Sequence, residues 1–241
     1  MLTTDLERPA LLGLRRTALL QGLDEAVLAE VAAACRFQLV RARQTVMSRA
    51  DTDRDCCFVL SGRLRVVVLS PNGREVSVRD VAAGETIGEM AALDGHPRSA
   101  TVLALEDALL ARIAPAALKD LLRRHWPMCE RLLQHLAHAA RRLTERVYEL
   151  STLGVQQRLC AELLRHVQAH LREGGATEPS PVPLLGLPSH KELAARIATS
   201  REQVTRELGE LVRAGVLAHA GEHLLVQDVR RLAERIEGTA G

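Results

Sequence analysis

Between Phe37 and Ile113 short apolar runs alternate with turn residues: "CCFVL", "RLRVVVL", "EVSVRDV" and "ALLARI" are separated by Ser61-Gly62, Pro71-Asn72-Gly73 and Ala83-Gly84. Val- and Leu-rich runs of this length, punctuated in this way, predict short antiparallel strands that close into a barrel or sandwich. Asn72-Gly73, set between two alternating runs, is the strongest hairpin signal among them. Adjacent Cys56 and Cys57 fall on opposite faces of one strand. Ahead of this region, "DEAVLAEVAAAC" from Asp24 reads as a short amphipathic helix, with an N-cap residue and an acid in the first turn.

From Pro115 the period changes to that of a helix. Leu122, Trp126, Cys129, Leu133, Leu136, Ala140, Leu143, Val147 and Leu150 recur in steps of four and three, the a/d seam of a coiled coil and hence of a parallel homodimer. A helix packed on its own barrel is the alternative, because Cys129 and Ala140 are small for a seam and Pro127 falls at its start. A second helix follows at Val155 to Arg172, and the Gly- and Pro-rich stretch "EGGATEPSPVPLLGLPS" then forms a linker.

Beyond the linker, Ser189 with Glu192 and Ser200 with Gln203 mark two closely spaced helix starts of capping-box type. Leu193, Ile197, Val204, Leu208 and Leu211 supply a common apolar side, which makes the pair a helix-turn-helix. "GVLAHAGEHLLV" follows as a hairpin, or wing, with its turn near Ala220-Gly221-Glu222. On the second helix Arg201, Glu202, Thr205 and Arg206 point away from the apolar side. Arg can donate to O6 and N7 of guanine and Glu can accept from cytosine, so this face suits G·C pairs in a major groove. A solvated helix with Arg–Glu pairs is the simpler alternative.

Composition narrows the picture without deciding it. The 241 residues are 47% hydrophobic and 26% charged with a net charge of +2, which fits two folded domains and excludes a disordered tail. Residues 155–241 hold 11 basic and 11 acidic side chains, so no broad positive footprint marks nucleic-acid binding. The N-terminal stretch has no apolar signal-peptide core and no segment reads as membrane-spanning, so a cytoplasmic protein without membrane contact is expected. Five cysteines without C-x-x-C spacing indicate neither a disulfide framework nor a zinc site. His135 and His138 could share a metal only with a third ligand, and none is in view.

One segment, "IGEMAALDGHPRSATV", sets Glu89 and an Arg98-Ser99 pair in a mostly apolar run. A part-buried Arg needs an anion, either Asp94 or Glu89 of the chain or a bound phosphate. With "GEM" at Gly88 to Met90, "RSA" at Arg98 to Ala100 and "SREQVTREL" at Ser200 to Leu208, the chain resembles the cyclic-AMP receptor protein (Crp/Fnr) family of bacterial transcription regulators. The likeness spans nearly the whole length.

The resemblance implies an α+β architecture: an N-terminal antiparallel β-roll that binds cyclic nucleotide (1–115), a long coiled-coil dimerisation helix (116–153) and a C-terminal winged helix-turn-helix (154–241). It implies a ligand site at Gly88, Glu89, Met90, Arg98, Ser99 and Ala100. Arg98, Ser99 and the Ala100 N–H would meet the cyclic phosphate, and Glu89 the ribose 2′-hydroxyl. Such a guanidinium–phosphate pair makes charge-assisted bonds, and Gly88 admits close approach of the sugar.

Aligning "ARRL", Ala140 to Leu143, with the family puts Arg146 and Val147 where the family carries a Thr-Ser pair that meets the adenine amino group, and Arg142 and Arg146 join the implied ligand contacts. Arg146 cannot accept from an adenine amino group but can donate to guanine, so cyclic AMP and cyclic GMP both stand as ligands, with Thr144 or Glu145 as acceptors for adenine. On DNA the implied contacts are Ser189, Ser200, Arg201, Glu202, Thr205 and Arg206. A palindrome of TGTGA-like half-sites would be read by two recognition helices about 34 Å apart, with RNA polymerase as downstream partner.

Of the family branches that sense by other means, iron–sulfur sensing fits less well because there is no N-terminal cysteine cluster, and haem sensing because the Gly-Glu…Arg-Ser cassette is intact. A cyclic-nucleotide hydrolase would need a metal pair or an activated nucleophile, and only His96 lies near Glu89 and Arg98. No catalytic or metal residue is therefore expected. The third reading is a nucleotide-binding module that regulates a protein partner.

Overall fold

The computed structural model describes residues 4–69, 75–174, 181–221 and 223–238. They fall into two compact units, Met1–Ala140 and Arg141–Gly241. The first opens with α1 (Thr4–Arg16), a short 3₁₀ turn at Ala18–Leu20 and α2 (Glu25–Ala34). Strands β1 (Cys35–Val40), β2 (Thr45–Met47), β3 (Cys56–Ser61), β4 (Leu64–Leu69), β5 (Glu75–Val81) and β6 (Thr86–Ile87) follow. Then come α3 (Glu89–Asp94), β7 (Thr101–Ala104), β8 (Ala108–Ile113) and α4 (Pro115–Arg124).

The eight strands make two antiparallel four-stranded sheets, ordered β1-β8-β3-β6 and β2-β7-β4-β5. The antiparallel pairing agrees with the barrel or sandwich read from the alternating runs, and the pair of sheets with the β-roll that the resemblance implies. Residues 70–74, which include the Pro71-Asn72-Gly73 turn, lie outside the described residues, although β4 and β5 pair on either side of it. The period-2 pattern places most interior residues, with irregularities at Thr45/Met47 and Val66/Val67. Val40, Cys57, Val59, Ala108 and Leu110 of one sheet meet Val46, Met47, Leu64, Val102 and Ala104 of the other.

The reverse face of β3 and β8 carries Cys56, Phe58, Leu60, Leu109, Ala111 and Ile113 against helices. Cys56 and Cys57 therefore do face opposite ways, and both faces of β3 are dry. Helices α1, α2 and α4 cover that outer face through Leu14, Leu28, Val31, Leu118 and Leu121. Helix α1 carried no signal that singled it out beforehand. Its Gly13 is forced by packing, since a Cβ there would lie 2.6 Å from the Leu60 Cβ.

The stretch expected as one dimerisation helix from 116 is two helices. Helix α4 ends at Arg124, His125 adopts φ −122° and ψ 85°, and α5 (Trp126–Thr152) begins with Pro127 in its first turn, where the missing N–H costs nothing. The proposed seam divides accordingly. Leu122 is buried on α4, and Cys129 and Leu136 pack on the roll's helical core, whereas Trp126, Leu133, Leu143, Val147 and Leu150 are exposed.

The second unit continues with α6 (Val155–Gly174), β9 (Val182–Pro183), α7 (His190–Arg196), α8 (Arg201–Arg213), β10 (Leu217–Ala220), β11 (His223–Val226) and α9 (Val229–Glu237). Leu159, Leu163, Leu193, Ile197, Val204, Leu208, Leu211 and Leu232 form its core, with the predicted apolar positions of both helix-turn-helix helices inside. Strands β10 and β11 form the wing hairpin, which also pairs with β9 from the linker; Glu222, within the predicted turn, and residues 175–180 lie outside the described residues.

The turn from α7 to α8 holds Ala198 at φ 54°, a left-handed conformation that costs a residue with a Cβ about 1–2 kcal/mol. Replacing Ala198 with Gly is expected to stabilise this unit by about 0.5–1 kcal/mol after the entropy of Gly is subtracted. A higher urea midpoint in the variant supports the strain; an unchanged or lower one contradicts it.

Candidate functional site

Helix α3 starts at Gly88, whose φ of 76° is left-handed, and its first residue, Glu89, is buried. The Glu89 carboxylate faces His135 of α5, with Nε2 3.6 Å from Oε1. His135 is thus half-buried against an acid, while His138 is exposed. Among the described residues no group of three or more His, Cys, Asp or Glu is placed to hold a metal ion.

Arg98 is 4% exposed. Its Nη1 donates to the Gly88 carbonyl at 3.2 Å, and its Nη2 to the Asp55 carbonyl at 2.8 Å and to Asp53 Oδ1 at 2.5 Å. Its buried Nε has no partner among the described residues. The anion beside Arg98 is therefore neither Asp94, which accepts from the His96 N–H, nor Glu89. Asp53 comes from the irregular segment before β3, 45 residues away in sequence, where no local pattern could announce the pairing.

Three more charged groups join this cluster. Arg112 Nη2 donates to Asp53 Oδ2 at 3.2 Å, its Nε lies 3.7 Å from Asp55 Oδ2, and Arg36 donates to Asp55 Oδ2 at 2.6 Å. Burial works to raise the Asp53 pKa, but the hydrogen bond from Arg98 and the charges of Arg112 and Arg98 outweigh it and hold the carboxyl below its usual range. It is ionised at neutral pH. Arg112 was missed in the sequence, though a signal existed: it is the next interior position after Ala108 and Leu110 on β8.

Of the other cassette residues, Met90 and Ser99 are exposed and Ala100 is half-buried at the bend before β7. Close by, burial pushes the Cys57 thiol up to about 12, which leaves it an inert packing group. Arg142 and Arg146 belong to the second unit. Arg142 is exposed, whereas Arg146 is half-buried: its Nη1 donates to Glu149 at 3.2 Å, and its buried Nη2 has no partner among the described residues.

Glu149 also takes Arg165 of α6 at 2.5 Å, Arg165 meets Glu162 at 3.0 Å, and Glu162 meets Arg196 of α7 at 3.0 Å. Alternating charges thus link the end of α5 to the first helix of the helix-turn-helix. Burial works to raise the Glu162 pKa, but Arg165 and Arg196 outweigh it and lower it.

The second helix-turn-helix helix, α8, presents Arg201, Glu202, Thr205 and Arg206 as exposed side chains. Ser189 caps α7 with the full reciprocal box to Glu192. Ser200 accepts from the Gln203 N–H, but the Gln203 amide reaches Glu207 and its carbonyl accepts from Arg206. Bonds from its own N–H and from the Ser200 hydroxyl hold the Glu202 carboxyl low. Thr205 donates to the Arg201 carbonyl and lies 2.8 Å from His190 Nδ1, which fixes its rotamer.

Gly88 is where the site tolerates least change. A Cβ there would lie 2.5 Å from Arg98 Nη1 and 2.9 Å from the Asp55 carbonyl oxygen. Gly88→Ala is expected to destabilise the first unit by about 1–3 kcal/mol through overpacking and its positive φ. Urea unfolding checks this, and a variant as stable as the parent contradicts the close packing.

Comparison with known proteins agrees with both units. The family model for the cyclic nucleotide-binding domain matches residues 37–125, and that for the Crp-like helix-turn-helix domain matches residues 157–235. The cyclic AMP receptor protein of Thermus thermophilus is 32% identical over 198 residues, 81% of this chain and 85% of that one. A CRP-like cAMP-activated global transcriptional regulator of Mycobacterium tuberculosis is 23% identical over 223 residues, covering 92% and 97% of the two chains.

Among solved structures, the Thermus thermophilus catabolite activator protein aligns with a TM-score of 0.53 at 26% identity, over 93% of this chain and all of that one. The c-di-GMP responsive global regulator CLP of Xanthomonas campestris shares the fold at a TM-score of 0.68 and 23% identity, over 85% of this chain and all of that one. No described helix is long and apolar enough to cross a membrane. With a cyclic nucleotide-binding β-roll followed by a Crp-like DNA-binding helix-turn-helix, the chain belongs to the Crp/Fnr family of transcription regulators.

Proposed function

We propose that the chain is a homodimeric, sequence-specific DNA-binding regulator controlled by cyclic AMP. The observation that carries the reading is Arg98: a buried guanidinium with an unpartnered Nε, set between Gly88 and the Ser99-Ala100 bend, suits a cyclic phosphate. Glu89 at the N-terminus of α3 suits the ribose hydroxyl. The names of the Thermus and Mycobacterium relatives favour cyclic AMP. Cyclic GMP is the second reading, favoured by Arg146, whose buried Nη2 has no partner among the described residues.

Dimerisation through α5 is supported by Trp126, Leu133, Leu143 and Val147, each more than half exposed on a 27-residue helix. Bound nucleotide would favour one arrangement of the α5 pair and in this way set the two recognition helices for DNA. A coupling of about 1–3 kcal/mol suffices for a useful switch. Arg201, Glu202, Thr205 and Arg206 would read TGTGA-like half-sites, with Ser189 and Ser200 at phosphates and RNA polymerase as the partner on DNA.

Titration calorimetry with cyclic AMP and cyclic GMP side by side tests the ligand. Saturable binding that is lost in Arg98→Leu, with dimerisation intact, is expected; binding unchanged in that variant contradicts the assignment. Leu143→Glu is expected to shift the sedimentation of the protein to the monomer and to weaken operator binding in gel-shift assays at least tenfold. A variant that remains dimeric removes α5 as the interface.

A further inference from the structure

The interior face of the sheet β1-β8-β3 is apolar along most of its length and ends in charge. Arg112 pairs in register with Arg36 on one side and Cys57 on the other, and its side chain is only 12% exposed. It lies in the same cluster as Arg98. The two guanidinium groups share one carboxylate: Asp53 Oδ1 takes Arg98 at 2.5 Å and Oδ2 takes Arg112 at 3.2 Å.

The partners differ in how firmly they are held. Arg98 is anchored by the Gly88 and Asp55 carbonyls and Arg112 by a strand, the Gln38 side chain and the Val46 carbonyl. Asp53 sits on a segment without regular structure, with its side chain 46% exposed, and besides the two arginines its Oδ1 takes a 3.3 Å bond from the Asp55 N–H. Three arginines, Arg36, Arg98 and Arg112, face two acids, Asp53 and Asp55, so the cluster has one positive charge in excess. A cyclic phosphodiester carries one negative charge on two free oxygens and matches the Asp53 carboxylate in both respects.

We propose that Asp53 is a resident internal anion, that Arg112 is a second phosphate-binding guanidinium beside Arg98, and that a cyclic phosphate binds by exchanging with the Asp53 carboxylate. The proposal rests on the assignment of Arg98 to the phosphate. Ligand affinity is then set by competition with the chain's own acid, and binding releases the segment that carries Asp53. No covalent step is involved.

Calorimetric titration of the full chain with cyclic AMP and cyclic GMP, for the parent, Asp53→Asn and Arg112→Gln, tests the exchange. Asp53→Asn removes the competing charge at nearly constant shape and is expected to tighten binding about tenfold, while Arg112→Gln is expected to weaken it about tenfold. A purely structural ion pair would move both variants toward weaker binding. Inorganic phosphate provides a second probe: it is expected to raise the melting temperature of Asp53→Asn more than that of the parent.

Nucleotide binding retained in the parent and abolished by Arg98→Leu, yet unmoved or weakened by Asp53→Asn, overturns the exchange and leaves the ligand assignment standing. Absence of nucleotide binding in the parent and both variants overturns the ligand assignment, and the exchange with it.

Discussion

Taking a guanidinium out of water costs several kcal/mol unless an anion and full hydrogen bonding come with it. In this chain the guanidinium is that of Arg98, and the mouth of the β-roll is arranged to hold it. Gly88 lacks the Cβ that would collide with it, and the Gly88 and Asp55 carbonyls fix its plane. Asp53 neutralises it. Removing any one of these leaves a buried charge uncompensated or displaced.

The same economy of charge recurs in the second unit, where Arg146, Glu149, Arg165, Glu162 and Arg196 alternate from α5 to α7. Glu149 and Glu162 each serve two arginines, and at Glu162 these outweigh burial and hold the carboxyl low. In the proposed switch, this network would pass a rotation of the end of α5 to the helix-turn-helix. That gives the proposed switch a physical route inside one unit, between elements that touch.

Much of the fold was legible because it rests on local periodicity. The alternation in "CCFVL" placed Cys56 and Cys57 on opposite faces, and the Ser189–Glu192 box located α7 to the residue. The cassette residues and the outward face of α8 were likewise readable from motifs and period. What escaped notice was set by distance along the chain. The acid that meets Arg98 lies 45 residues away and its bond to Arg112 spans 59; no spacing rule links such residues. The seam read from Leu122 to Leu150 mixed two burial roles, because the break at His125 turns Leu122 into the roll's own core while Leu143 and Val147 remain outside it.

The central claim is that Arg98 exchanges an internal anion for a ligand phosphate. The most direct measurement is a crystal structure of the protein with cyclic AMP. The account predicts Arg98 and Arg112 on the phosphate oxygens and Asp53 withdrawn from both. An Arg98–Asp53 pair that stays closed, with nucleotide bound elsewhere or not at all, would contradict it.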